Sequence, residues 1–128
     1  MKIQIVADRK TMKILCIYIS TGKTHDFQLF KNSHLTIPEY IKLLADSGYQ
    51  GICHYHQNSE IPIKSSKKHP LSEEEKQYNH ELSKRRIYIE HINCFLKRFR
   101  ILSSKYRNRR KRFALRVSLI CGIYNFQF

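Results

Sequence analysis

The segment from residue 85 to residue 99 reads RRIYIEHINCFLKRF, and the rest of the chain is arranged around it. Its apolar residues recur at steps of three, four and three: Ile89, Ile92, Leu96 and Phe99. This spacing puts one apolar stripe along a helix. Polar and charged residues occupy most of the remaining positions, which predicts a helix with one buried side and one side facing solvent.

Glu90 and Lys97 lie at the rim of that stripe, seven residues apart, so they point the same way about 10.5 Å apart along the helix. A single acid among many cations is often a neutralising partner, and Arg86, four residues earlier, suits that role. The alternative is a carboxylate held rigidly beside a basic track, as metal-dependent phosphodiester chemistry on DNA requires. The segment alone leaves both interpretations open.

The charge of the whole chain favours a polyanionic partner. Its 128 residues contain 24 Lys and Arg against 10 Asp and Glu, a formal net charge of +14. Such an imbalance repels itself in a compact domain unless nucleic acid, or less commonly an anionic membrane, offsets it. No apolar run approaches the roughly 20 residues of a membrane span, and no signal peptide is evident. We therefore expect a soluble, cytoplasmic protein.

The four cysteines are far apart in the sequence and form no CxxC pair, which argues against a zinc knuckle. Cys53, His54 and His56 form a tight cluster that could bind a metal weakly, with an ordinary surface loop as the alternative. Cys94 and Cys121 occur in apolar helical patterns and are predicted to be reduced core thiols.

The first half of the chain reads as strands with one short helix. Residues 1–8 and 13–20 alternate or run apolar and predict an antiparallel hairpin. Thr24 or Asp26 is expected to cap a helix that ends near Asn32. The run 41–45 predicts a buried strand with Asp46 at its carboxyl end, where catalytic groups of α/β folds often lie. The alternative is an Asp in an ordinary turn.

Residues 53–70 predict a loop, with 61–63 as a short edge segment. Ser72 and Glu75 then have the spacing of a capping box, which predicts a helix start. A helix unbroken to Leu102 would exceed about 40 Å, so we expect a break or a bend before Arg86. After a connector at 103–108 a basic run leads into a last amphipathic helix, whose apolar positions are Phe113, Val117, Ile120 and Tyr124.

The ordered set of motifs resembles the C-terminal part of the catalytic domain of bacterial insertion-sequence transposases of the DDE superfamily. The matching segments are THDFQLF (24–30), LADSGYQGI (44–52), RIYIEH (86–91) with Lys97, YRNRR (106–110) and LICGIYN (119–125). Each motif is weak by itself, whereas the series in this order is specific.

The resemblance implies an RNase H-like α/β fold, a mixed sheet flanked by helices. It also implies two divalent ions, usually Mg²⁺ with Mn²⁺ as a substitute, held by three carboxylates. The second family carboxylate maps onto Asp46 and the third onto Glu90, so both are expected to be catalytic and metal-binding. Asp26 falls in a shared motif and is assigned here to helix capping. The expected DNA contacts are Lys97, Arg98, Arg107, Arg109, Arg110, Lys111 and Arg112.

The family's first catalytic Asp lies on a central strand upstream of the segment matched by Met1 to Asp8. Asp8 also ends a strand, but its neighbours match the next strand of the family. We therefore expect residues 1–128 to be a truncated catalytic domain, with strands and a short helix at 1–52, a loop at 53–70 and a helical part at 71–128. We expect it to be inactive without the N-terminal part, nucleoid-associated, and oligomeric on transposon ends and target DNA. The alternative is a non-enzymatic basic module that binds nucleic acid.

Overall fold

The computed structural model describes residues 2–99 and 110–127, and the side chains of residues 110 and 111 lie outside that description. Within those ranges the chain has mixed α/β architecture and divides into two compact units. The first unit contains residues 1–24 and 88–128, and the second contains residues 25–87. Helix α2 belongs to both units, because it begins in the second and ends in the first.

The first unit is built on the predicted hairpin, in which β1 (Lys2–Ala7) pairs antiparallel with β2 (Ile14–Ser20). The register slips between Val6 and Ala7, so that Ala7 faces Ile14 instead of Leu15. This bulge reverses the inward and outward alternation at the start of β2. As a result Ile14 is buried whereas Leu15 is 64% exposed.

The core of the first unit forms where the hairpin meets the C-terminal part of α2 (Glu73–Leu96) and α3 (Arg110–Asn125). The predicted helical stripes supply most of it: Ile92, Leu96, Phe113, Val117, Ile120 and Tyr124 are all buried. Asn125 joins the end of α3 to β2, because its side chain accepts a hydrogen bond from Ile14 N and donates one to Ile14 O, both at 2.8 Å.

The second unit contains α1 (Asp26–Asn32), a parallel pair formed by β3 (Leu43–Leu44) and β4 (Ser59–Glu60), and the first turns of α2. The predicted strand at 41–45 is shorter than expected, since β3 covers Leu43–Leu44, and it pairs with Ser59–Glu60. The expected edge segment at 61–63 is not a strand. The side chain of Asn79 in α2 binds the backbone of Ile63: its Oδ1 accepts a hydrogen bond from Ile63 N at 2.8 Å and its Nδ2 donates one to Ile63 O at 2.9 Å.

Helix α2 confirms one prediction and contradicts two others. Its capping box forms as expected, since Glu75 N donates to Ser72 Oγ at 3.2 Å and Ser72 N donates to Glu75 Oε1 at 3.4 Å. The expected break before Arg86 is wrong, because α2 runs unbroken for 24 residues, about 36 Å, whereas the alternative of a bend stays a prediction. The core assignment of Cys94 is also wrong: two residues beyond Ile92 it has turned off the apolar stripe, and it is exposed.

Candidate metal and nucleic-acid site

Asp46 is held where β3 ends and a 3₁₀ turn (Ser47–Tyr49) begins. The strand pair continues one residue beyond β3, because Ala45 N donates to Glu60 O at 3.0 Å. Asp46 then caps the turn, since its Oδ1 accepts a hydrogen bond from Gly48 N at 2.8 Å. The side chain is half-buried. Asp46 thus lies at the carboxyl end of a strand, as predicted, and also in an Asx turn, which is the alternative interpretation.

A second carboxylate lies beside Asp46. Asp26 Oδ2 and Asp46 Oδ1 each lie 3.1 Å from the position that a Cβ on residue 48 would occupy. Because Gly48 has no side chain, both carboxylates can lie close to the backbone of the turn at residue 48. The predicted capping role of Asp26 is wrong, because the N-cap is His25 and Asp26 is the first residue of α1. In that first turn a carboxylate is favoured by the positive end of the helix dipole.

The pKa of Tyr49 reflects its burial and the charges of Asp26 and Asp46. Burial, followed by the charges of Asp26 and Asp46, raises the pKa of Tyr49 to about 12, and the opposing charge of Arg86 lowers it. Two negative charges and one positive charge therefore act on the same phenol. Carboxylate oxygens are the hard ligands that Mg²⁺ prefers, so Asp26 and Asp46 have the ligand chemistry of a divalent-cation site. Sequence reasoning missed the pair, although His25-Asp26 belongs to one of the quoted motifs.

Glu90 and Lys97 both belong to the first unit and are exposed. Glu90 lies on α2, and Lys97 follows its last residue, where Lys97 N still donates to Asn93 O at 3.0 Å. Asp46 belongs to the second unit. The predicted pairing of Asp46 with Glu90 on one metal site therefore remains a prediction.

The basic residues of the first unit are partly described. Arg98 is exposed, and its guanidinium carbon lies 5.9 Å from the centroid of the Phe95 ring. Arg107 and Arg109 lie outside the described residues, and Arg110 and Lys111 begin α3. Arg112 is exposed beside the buried Phe113. The start of α3 is thus basic on a helix whose apolar side is anchored in the core, as the sequence predicts.

The alternative metal cluster at Cys53, His54 and His56 is not assembled. His56 is buried, and its Nε2 lies 2.6 Å from Ile41 O, so this ring nitrogen is engaged with the backbone. Cys53 Sγ donates to Ser59 O at 3.6 Å. Across residues 2–99 and 110–127, no group of three or more His, Cys, Asp and Glu is close enough to hold a metal ion. No helix in the same ranges is long and apolar enough to cross a membrane.

The chain is similar to a known protein family and to a curated protein. The family described as DDE superfamily endonuclease matches residues 1–125. A probable transposase for insertion sequence element IS702, from Microchaete diplosiphon, is 50% identical over 127 residues. The alignment covers 99% of this chain and 46% of the relative, so the chain spans about half the length of that protein. No solved structure matches the chain.

Proposed function

This chain belongs to the DDE superfamily endonuclease family of insertion-sequence transposases, and we propose from that membership that it takes part in DNA transposition. The proposed reaction is Mg²⁺-dependent cleavage of a phosphodiester and strand transfer at transposon ends, with Mn²⁺ as a substitute ion. The proposed fold of the whole catalytic domain is RNase H-like. The partners are transposon-end and target DNA, further copies of the protein, and an N-terminal part that supplies the first family carboxylate.

The arrangement around Gly48 is the observation that supports this function most directly. Asp46 follows a strand, is oriented by the Gly48 N–H, and has the carboxylate of Asp26 beside it. A carboxylate that is positioned before the ion arrives does not have to be ordered on binding. Asp46 and Glu90 would hold the ion together with the N-terminal carboxylate. A bound ion would supply activation of the attacking oxygen and charge stabilisation of the leaving oxygen.

The chain's own residues would perform the remaining tasks. Helix α2 fixes Glu90 on a rigid backbone, and the adjacent Lys97 and Arg98 extend into solvent where a DNA backbone can reach them. Arg112 at the start of α3 adds a further phosphate contact. These cations neutralise phosphates and set the register of the strand, whereas the carboxylates act at the phosphodiester that is cut.

A paramagnetic titration tests whether the two acids share one site. Mn²⁺ added to the ¹⁵N-labelled chain should broaden the amide signals of Gly48 and His91 together. Asp46→Asn keeps an oxygen acceptor for the Gly48 N–H but removes the charge, so it should weaken broadening at both amides by about tenfold or more. Glu90→Gln should likewise weaken the broadening at both Gly48 and His91.

Asp8→Asn is the matched control. Asp8 also follows a strand, and its Oδ1 accepts a hydrogen bond from Lys10 N at 2.9 Å, two residues later, as Asp46 does with Gly48. This substitution should leave the titration unchanged. The shared site would be contradicted if Asp46→Asn weakened the broadening only at Gly48 and Glu90→Gln weakened it only at His91.

Activity is tested in the presence of the proposed N-terminal part. A DNA fragment carrying the element's ends should then be nicked in Mg²⁺ or Mn²⁺, and Glu90→Ala should abolish nicking. Nicking that persists in Glu90→Ala without metal would overturn the proposed chemistry.

A non-enzymatic nucleic-acid module is the second candidate, and the net charge of +14 favours it. It predicts that the logarithm of the DNA-binding constant falls with the logarithm of the salt concentration with a slope of about −5, if roughly six phosphates are neutralised. It also predicts no metal effect at Asp46 or Glu90. The Mn²⁺ titration therefore separates the two candidates.

A further inference from the structure

The second unit contains a cleft that the proposed cleavage site does not use. It has a volume of about 450 Å³ and lies where the end of α1 meets the segment at 55–56. This volume is within the range of small-molecule sites in proteins. The residues that line it and carry the argument are Phe30, Lys31, His34, Tyr55 and His56.

Aromatic rings and a cation occur together at this cleft. Lys31 Nζ lies 4.4 Å from the centroid of the Phe27 ring and 5.5 Å from that of Tyr55. The two rings meet edge to face, with centroids 5.5 Å apart. Tyr55 is nevertheless 61% exposed. A braced ring with an accessible surface, beside an ammonium group, is suited to stack a nucleobase and contact its phosphate.

The chemistry of the walls fits an anionic ligand. None of the eight residues that the described chain contributes to the cleft is acidic. His34, two residues after the end of α1, adopts a left-handed φ of 51°, a conformation that costs free energy in a residue other than glycine. Its imidazole is exposed and supplies a second polar group to the cleft. His56, held by Ile41 O, forms a fixed part of the wall.

Helix α1 connects the cleft to Asp46. Asp26 begins the helix and Lys31 lies in its last turn, a rise of about 7.5 Å. The Phe30 ring packs edge to face against Tyr49, with centroids 6.4 Å apart, and Tyr49 is the phenol on which both carboxylates act. Asp26 and the cleft therefore lie at opposite ends of the same short helix.

We propose that this cleft binds an unpaired nucleotide of DNA, with its base stacked on Tyr55 and its phosphate contacted by Lys31 and His34. The proposal rests on the proposed function for the identity of the strand, and it adds a site that selects unpaired DNA beside the cut. A base that is still paired presents its edges and not its face, so duplex DNA would not use Tyr55 in this way.

The test compares DNA forms in EDTA, so that metal binding plays no part. A single-stranded oligothymidylate carrying one 2-aminopurine and a duplex of the same sequence are titrated with the chain. Tyr55→Ala should weaken single-strand binding by about tenfold and duplex binding by less than twofold. Tyr55→Phe, which keeps the stacking surface, should bind as the unmodified chain does.

Matched controls come from the same unit. Tyr40 is 84% exposed and lies outside the cleft, and Lys64 is an exposed lysine outside it. Tyr40→Ala and Lys64→Ala should cost less than twofold, whereas Lys31→Ala should cost several-fold on the single strand. The far-UV circular dichroism spectrum of each variant shows whether it is folded.

An abasic oligonucleotide supplies the decisive comparison. The abasic oligonucleotide should bind the unmodified chain and the Tyr55→Ala variant with equal affinity, because in neither complex is a base stacked on a tyrosine ring at position 55. Equal losses in Tyr55→Ala and Tyr40→Ala, or equal effects on single strand and duplex, would overturn the proposal. A negative Mn²⁺ titration combined with a positive Tyr55 result would remove the metal site and leave the single-strand site intact.

Discussion

The substitution Gly48→Ala tests the packing of the two carboxylates most sharply. Its new methyl carbon would lie 3.1 Å from both Asp26 Oδ2 and Asp46 Oδ1, so both oxygens must retreat by a few tenths of an ångström. Asp46 Oδ1 is also the acceptor for the N–H of residue 48 at 2.8 Å, and this hydrogen bond would lengthen.

The expected change in stability follows from two opposing effects. A hydrogen bond to a charged group contributes about 1.5–3 kcal/mol, with the lower value suited to an exposed one. Replacing glycine by alanine stabilises a protein by about 0.4–1 kcal/mol through the unfolded chain where the backbone allows it. We therefore expect Gly48→Ala to lower the free energy of unfolding by about 1 kcal/mol.

Gly22→Ala is the matched control, because nothing lies within 4 Å of a Cβ at that position. It should raise the free energy of unfolding by about 0.4–1 kcal/mol. Urea denaturation followed by circular dichroism measures both variants, and the Mn²⁺ titration should weaken only in Gly48→Ala. Equal stability changes in the two variants, with the metal effect retained in both, would refute the close approach of Asp26 and Asp46 at residue 48.

Three further substitutions test other parts of the molecule. Asn125→Ala removes both hydrogen bonds to Ile14 and should lower the free energy of unfolding by about 2 kcal/mol, measured in urea; an unchanged midpoint would contradict this role. Ser72→Ala removes the capping box and should cost about 1 kcal/mol in thermal melts; an unchanged melting temperature would show that the capping box does not stabilise α2. Asp26→Asn should lower the pKa of Tyr49 from about 12 towards its ordinary value near 10, followed by NMR of the tyrosine ring. Because the pKa of Tyr49 is raised in the folded protein, its contribution to the free energy of unfolding is present below pH 10 and is lost as pH rises through 12. Asp26→Asn should reduce that loss. An unchanged Tyr49 titration in this variant would show that the charge of Asp26 does not act on the ring.

Elements whose causes lie within a few residues were predicted well. The hairpin follows from alternation, the start of α2 from Ser72 and Glu75, and α3 from apolar residues at steps of three and four. Each of these patterns acts over one or two turns of backbone, so the signal is complete in the local sequence. Family membership was likewise readable from the order of short motifs, and the comparisons confirm it.

Errors arose where the answer depended on a partner distant in sequence. The break expected before Arg86 assumed that one compact domain must accommodate the helix, whereas α2 contributes to two units. Leu15 and Ile14 are both apolar residues of the predicted strand 13–20, and only the bulge between Val6 and Ala7 decides that Leu15 is the exposed one. Cys94 occurs in an apolar segment, yet its angular position on the helix leaves it in solvent.

The sequence by itself determined the local elements, the excess of positive charge and the family to which the chain belongs, because each depends on residue types at short spacing. Only the tertiary structure brought Asp26 against Gly48 and Asp46, and Lys31 against Tyr55. The physical reason is that no short-range pattern specifies which side chains meet across a fold. That choice is made by the packing of α1 against the turn after β3, where a residue without a side chain leaves room for two carboxylates.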